Sequence, residues 1–129
     1  MKKKYINSLL YLVVNSSLKF SKKNCQLYFK KQYLYLLYFL KKNNFIFYFK
    51  KVNNQLIIFL KYYENISIFK KIKIYNHLKK KKILNLKQIL ELKKKNSFCF
   101  FIFYTNSGFL SIEDVIKKRT GAFLIAKIF

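Results

Sequence analysis

Side chains able to do acid–base or covalent chemistry are scarce in this chain, and their spacing removes most of what they could do. The acids are Glu64, Glu91, Glu113 and Asp114. Glu113 and Asp114 follow Ser111, a hydroxyl placed to cap a helix, and acids in a first helical turn favour the macrodipole. No paired carboxylates are then left for general acid and base work. His77 is the only histidine, and its lysine-rich surroundings suit a solvated or polyanion-facing side chain better than a catalytic base. Cys25 and Cys99 lie far apart with no second ligand beside either, which excludes a zinc site and a Cys-x-x-Cys redox pair. Buried thiols in a reducing compartment account for both. Gly108 and Gly121 are the only glycines, too few for a phosphate-cradling loop. The chain is therefore expected to be no enzyme, to hold no cofactor or metal and to take no small-molecule substrate.

What the chain does carry is hydrogen-bonding and positive charge. Thr105, Asn106 and Ser107 bear short side chains that donate and accept, and Gly108 beside them lets a backbone approach closely. A turn projecting such groups reaches 2′-hydroxyls and base edges in the wide, shallow minor groove of A-form RNA, although Asn and Ser also satisfy a turn for its own sake. Lys and Arg number 28 against four acids, a formal net charge of +24 on 129 residues. Such a chain repels itself unless a polyanion is at hand, and nucleic acid is the partner that charge implies. The lysines expected to meet it are spread out: Lys31, the run Lys79, Lys80, Lys81 and Lys82, and Lys117 and Lys118 with the single arginine, Arg119.

The aromatic content needs a separate account. The chain has 15 Phe and 11 Tyr but no Pro and no Trp, and the favoured residues share adenine- and thymine-rich codons. That bias points to an AT-rich, organellar genome and makes much of the aromatic excess mutational drift. Aromatics among lysines can stack on unpaired bases. A core filled with Phe and Tyr reads the same, and the core reading is preferred.

The elements that must position the turn follow from periodicity. Phe98 to Tyr104 is an unbroken apolar run, as in a strand buried on both faces. Ser111 starts a short helix that Lys117, Lys118 and Arg119 close, Gly121 provides a residue able to turn left-handed, and Phe123 to Phe129 resumes as a strand. Upstream, Ile6, Leu9, Leu10 and Val13 fall at i, i+3, i+4 and i+7, as in a helix docking one face on a core. A strand over 22–29, a helix over 33–42 ending at Asn43 and Asn44, and a hairpin of 45–52 with 55–62 turning at Asn53 and Asn54 come next. Ser67 to Tyr75 reads as a half-exposed basic strand and Leu86 to Leu92 as a short helix. The fold class expected is α+β in two small subdomains. Residues 1–75 form a helix, strand, helix and hairpin; residues 76–129 form a strand-rich half with a short capped helix, the RNA-binding part. The four-lysine run at 79–82 marks the passage between them.

Apolar residues make up 53% of the chain, enough to raise the question of a membrane. The longest apolar run, Tyr33 to Leu40, is far short of the ~20 residues that span a bilayer. No transmembrane segment is expected. Lys2, Lys3 and Lys4 ahead of Leu9 to Val14 imitate a short signal peptide, so a basic membrane-surface or secreted protein is the alternative to a docked, retained first helix.

The tail resembles the C-terminal end of the small ribosomal subunit protein eight family. There a strand ends in Ser-Thr-Ser-Lys-Gly, a short capped helix follows, and a Gly-Gly-Glu turn leads into the last strand. The matching residues are Tyr104, Thr105, Asn106, Ser107 and Gly108, then Ser111, then Gly121, Ala122 and Phe123, with Ser107 in place of the family lysine and Phe123 in place of the family glutamate. Weaker likeness runs upstream through Asn15, the stretch Lys41 to Ile46, and Leu60, Lys61 and Tyr62; the family's Arg-Pro-Gly-Leu-Arg turn has kept only charge near Asn76 to Lys82. The resemblance implies a structural protein of an organellar small ribosomal subunit, mitochondrial with plastid as the alternative. By the same resemblance it binds the central domain of the small-subunit rRNA, uses the 105–108 loop as a principal contact with a stem there, and touches neighbouring small-subunit proteins, protein five first among them.

Overall fold

Leu9, Leu10, Val13 and Val14 share one side of a helix and are each at most 2% exposed, so α1 (Lys3–Leu18) buries a continuous apolar face. The structure is a computed structural model; it describes residues 3–18, 23–64, 66–69, 71–75, 83–96 and 98–129. The chain divides into two units, Met1–Lys70 and Lys71–Phe129. Its architecture is α+β, with helices laid on antiparallel sheets.

In the first unit β1 (Asn24–Tyr28) precedes α2 (Lys31–Lys42). Leu36, Leu37 and Leu40 bury the inner face of α2. The two asparagines close it as a left-handed terminus should: Asn44 has φ 63, its N–H donates to Lys41 O at 3.1 Å, and the Phe45 N–H donates to Leu40 O at 2.9 Å. This is the paired pattern that satisfies orphan carbonyls at a helix end. The chain then forms a hairpin of β2 (Ile46–Val52) and β3 (Gln55–Leu60) turning through Asn53, φ 55, and Asn54. β3 is the central strand, between β1 and β2. Its alternate residues Leu56, Ile58 and Leu60 are buried, and α1 packs on β1 and β3 while α2 packs on β2.

The expected strand from Ser67 to Tyr75 is not one strand. Ile66–Ser67 (β5) pairs back on Tyr62–Tyr63 (β4), whereas Ile72–Ile74 (β6) belongs to the sheet of the second unit. The cause lies between them: Phe69 is 2% exposed and stacks on Phe45 with ring centroids 5.8 Å apart. Burying that ring is worth more than continuing a half-exposed ladder.

The second unit continues with β7 (Ile83–Leu84), α3 (Leu86–Lys95), β8 (Phe100–Thr105), β9 (Gly108–Leu110), α4 (Ile112–Lys118) and β10 (Ala122–Ile128). Its sheet runs β6-β10-β8-β9, with β7 also pairing on β10. α3 begins in a capping box that pattern reading overlooked: Gln88 N–H donates to Asn85 Oδ1 at 2.9 Å and Asn85 N–H to Gln88 Oε1 at 3.0 Å. It extends past Leu92 because Lys93, Lys94 and Lys95 suit the negative end of the helix dipole. Ile89, Phe101, Phe103, Ile112, Val115, Ala122 and Leu124 form the core. Phe101, Ile102 and Phe103 are each at most 1% exposed although successive residues of a strand face opposite sides. β8 is therefore buried on both faces, as its unbroken apolar run predicts.

Candidate nucleic-acid interface

The β8–β9 turn is held from within. Thr105 pairs with Gly108 across the hairpin, its hydroxyl accepts the Ser107 N–H at 3.1 Å, and it donates to Gly108 O at 3.3 Å. Thr105 thus commits its only proton to the turn and keeps little for a partner. Asn106 and Ser107 carry no positive φ; that conformation passes to Gly108, φ 96, as in hairpin loops that end in a glycine bulge. Their side chains are left exposed at the tip.

Phe123 lies opposite Tyr104, so the start of β10 and the segment leading into it approach the same turn. Between them is a cleft of about 180 Å³ lined by Thr105, Asn106 and Ser107 on one side, and by Lys118, Thr120 and Phe123 on the other. Both positions where the tail lacks a charge that the resemblance would place there, Ser107 and Phe123, line it. Lys118 is the one charged side chain among its described lining residues. The cleft therefore offers amide and hydroxyl groups beside a single cation, which suits a ribose–phosphate edge better than a charged small molecule. Thr120 and the apolar Ile83 line it without a sequence expectation; the signal for Thr120 is a hydroxyl next to Gly121 just past a basic helix end.

The other expected contact residues are dispersed. Lys117 and Arg119 are exposed but do not line the cleft. Lys31 is exposed at the first position of α2 in the other unit, where its charge opposes the helix dipole. Lys79, Lys80, Lys81 and Lys82 lie outside the described residues, as does His77. Ser111 caps α4 as its type predicts: its Oγ accepts the Asp114 N–H at 3.4 Å and donates to Asp114 Oδ2 at 3.1 Å, so a hydroxyl and a carboxylate already occupy that helix end. Cys25 is buried and Cys99 half-buried, and neither is held in a disulfide. Burial, and the Cys99 thiol to a lesser degree, push the Tyr75 hydroxyl above its ordinary pKa of 10.0, so it stays protonated in neutral solution. Among the described residues no cluster of three or more His, Cys, Asp or Glu could hold a metal ion, and no helix is long and apolar enough to cross a membrane.

Gly121 has a different role from the one its position suggests. The left-handed residue after α4 is Arg119, φ 51; Gly121 is needed for room. A Cβ there would meet Ile83 Cγ2 at 2.8 Å and the Leu84 carbonyl oxygen at 3.2 Å, whereas one at Gly108 would meet nothing within 4 Å. Gly121→Ala should therefore cost about 1–3 kcal/mol by overpacking β7 on β10. Gly108→Ala should cost about 1–2 kcal/mol through backbone strain alone. Urea unfolding measures both, and the two separate in a background where Ile83 is shortened to alanine, which should relieve the Gly121 variant only.

Fold, charge and cleft together define a basic α+β protein with amide and hydroxyl groups gathered beside a cation on its second unit. A family model, Ribosomal protein S8, matches residues 5–129, and the chain belongs to that family. It is accordingly a structural, non-enzymatic constituent of the small ribosomal subunit, placed on the ribosome, with rRNA and other small-subunit proteins as its partners. Compared with curated proteins, the chain finds no match.

Proposed function

We propose that this chain serves in the small subunit of a mitochondrial ribosome, where it helps to organise the central domain of the rRNA next to protein five. Residues 76–129 carry most of the specific binding: Asn106 and Ser107 read the minor groove of a stem, Gly108 permits close approach, and Lys117, Lys118, Arg119, Lys31 and the 79–82 run neutralise phosphates. The observation that carries this reading is the turn itself. Its internal hydrogen bonds rest on the Thr105 hydroxyl, leaving two exposed polar side chains at the tip of a cleft whose charged member is Lys118. An organellar origin is supported by the alphabet of the chain, in which Arg119 is the one arginine among 28 basic residues and proline is missing.

Asn106→Ala with Ser107→Ala removes two groups without disturbing Thr105. Two hydrogen bonds at about 1 kcal/mol each correspond to a loss of roughly 30-fold in affinity for the central-domain stem. Binding to unrelated RNA should hardly change, because phosphate contacts carry no sequence information. Equal losses on both RNAs in a filter-binding titration would show that the turn is only a structural or electrostatic feature. Sedimentation of the chain with small subunits from purified mitochondria tests the location; recovery with ribosome-free membranes would favour the membrane-surface alternative.

A further inference from the structure

The three-stranded sheet of the first unit leaves one face half open, and the residues on that face are set by register. Leu56, Ile58 and Leu60 of β3 are buried while Ile57 and Phe59, which point the other way, are half exposed. Phe59 lies opposite Asn24 of β1 and Tyr48 of β2; in the next row of the same face, Ile57 lies between Gln26 and Lys50. The β2–β3 ladder slips by one residue between Ile46 and Tyr48. Phe47 is therefore the extra residue of a bulge beside the Tyr48–Phe59 pair, an irregularity that re-aims side chains and recurs beside functional sites. Both rings stand in solvent, Phe47 at 70% and Tyr48 at 46% exposure. The Tyr48 and Phe59 ring centroids are 6.4 Å apart at an interplanar angle of 30°, and Lys50 Nζ sits 5.6 Å over the Phe59 ring.

We propose that this face is a stacking platform for unpaired nucleotides of rRNA. Bases lie on Phe47, Tyr48 and Phe59, the amides of Asn24 and Gln26 reach base edges, and the Lys50 ammonium leaves its ring for a phosphate. Charge complementarity selects the occupant. Glu64 is the only acid in the first 70 residues and lies beyond β3, so the platform is rings, amides and lysine with no negative group to repel a polyanion. Stacking a base on an aromatic ring is more favourable than holding an exposed lysine over it, and every base has a face to stack, so the platform tolerates sequence. The inference rests on the chain's binding of rRNA but uses no part of the β8–β9 turn, which suits paired RNA.

The test uses the full chain, a labelled short oligoadenylate and a labelled RNA duplex in anisotropy titrations. Phe47→Leu and Tyr48→Leu remove rings that are already exposed, so both should fold, and Phe47→Tyr keeps the ring. Each leucine variant should weaken oligoadenylate binding by about 5- to 100-fold while duplex affinity holds within a factor of two, and Phe47→Tyr should bind as the natural chain does. Unchanged oligoadenylate affinity in both leucine variants overturns the platform, as does an equal loss on the duplex. Leucine variants that bind both RNAs normally yet fail to join the small subunit also overturn it, in favour of a protein contact. If the natural chain binds neither RNA, the platform falls together with RNA binding itself; if it binds the duplex without a selective loss in the variants, the platform alone falls.

Discussion

Phe103→Ala is expected to destabilise the second unit by about 3–5 kcal/mol, the cost of deleting a large ring from a core that cannot fully collapse around the gap. Phe103 is 0% exposed and lies opposite Leu124 on β10 and Leu110 on β9. Its ring is 6.2 Å from that of Phe101. The loss spans a large fraction of the 5–15 kcal/mol that holds a typical domain together, and a unit this small buries only about 60% of its unfolded surface. Thr105 is two residues further along the same strand, so binding to the cognate stem should fall in parallel with folding. Phe98→Ala is the control from the same apolar run: Phe98 is 99% exposed, and its loss should stay within about 0.5 kcal/mol. Guanidinium unfolding of both variants decides the matter, and similar midpoints would mean that the run is not sorted into core and surface as described.

That contrast shows where the chain is legible and where it is not. Phe101, Ile102 and Phe103 form a run with no polar member, which only a strand covered on both faces accommodates, and β8 is such a strand. Phe98 belongs to the same run by composition and stands in solvent, since nothing local distinguishes a ring that finds neighbours from one that does not. Caps are read well when donor and helix are adjacent in sequence, as at Ser111. The Asn85–Gln88 box escaped because Asn is so frequent here that its appearance before a helix carries little information. Intrinsic preference gives the left-handed residue after α4 to glycine, yet Arg119 adopts it and Gly121 answers a tertiary demand, the approach of Ile83 and Leu84. Register is beyond the reach of pattern altogether. Neither the slip at Phe47 nor the departure of Phe69 into a core leaves a mark on the alternation of apolar residues. The candidate site divides the same way. Thr105 to Gly108 could be singled out by type, but the facing Lys118, Thr120 and Phe123 come to the cleft only through the pairing of β8 with β10.

Affinity for an rRNA fragment is expected to fall by about 10³- to 10⁵-fold between about 50 and 200 mM salt, as for a protein that neutralises roughly six to ten phosphates and releases their counterions. The charge that drives this is not gathered into one motif. Exposed lysines occur in both units, among them Lys31, Lys50, Lys73, Lys94 and Lys118, and four acids cannot pair with more than a few of 28 basic side chains. Several lysines rest instead on aromatic rings, such as Lys41 over Tyr48 at 4.9 Å, Lys51 over Phe29 at 4.1 Å and Lys127 over Phe129 at 4.6 Å. These contacts leave the charge in place and are weak at exposed positions, about 0.5–1 kcal/mol, so a phosphate can compete for them. Single lysine substitutions should accordingly lower affinity alike on cognate and unrelated RNA, each reducing the log–log salt slope by about one unit. The turn variant Asn106→Ala with Ser107→Ala should leave the slope unchanged while lowering cognate affinity, because it removes hydrogen bonds and no charge. A slope near zero for the natural chain, read from titrations across the salt range, would contradict the electrostatic account at its root.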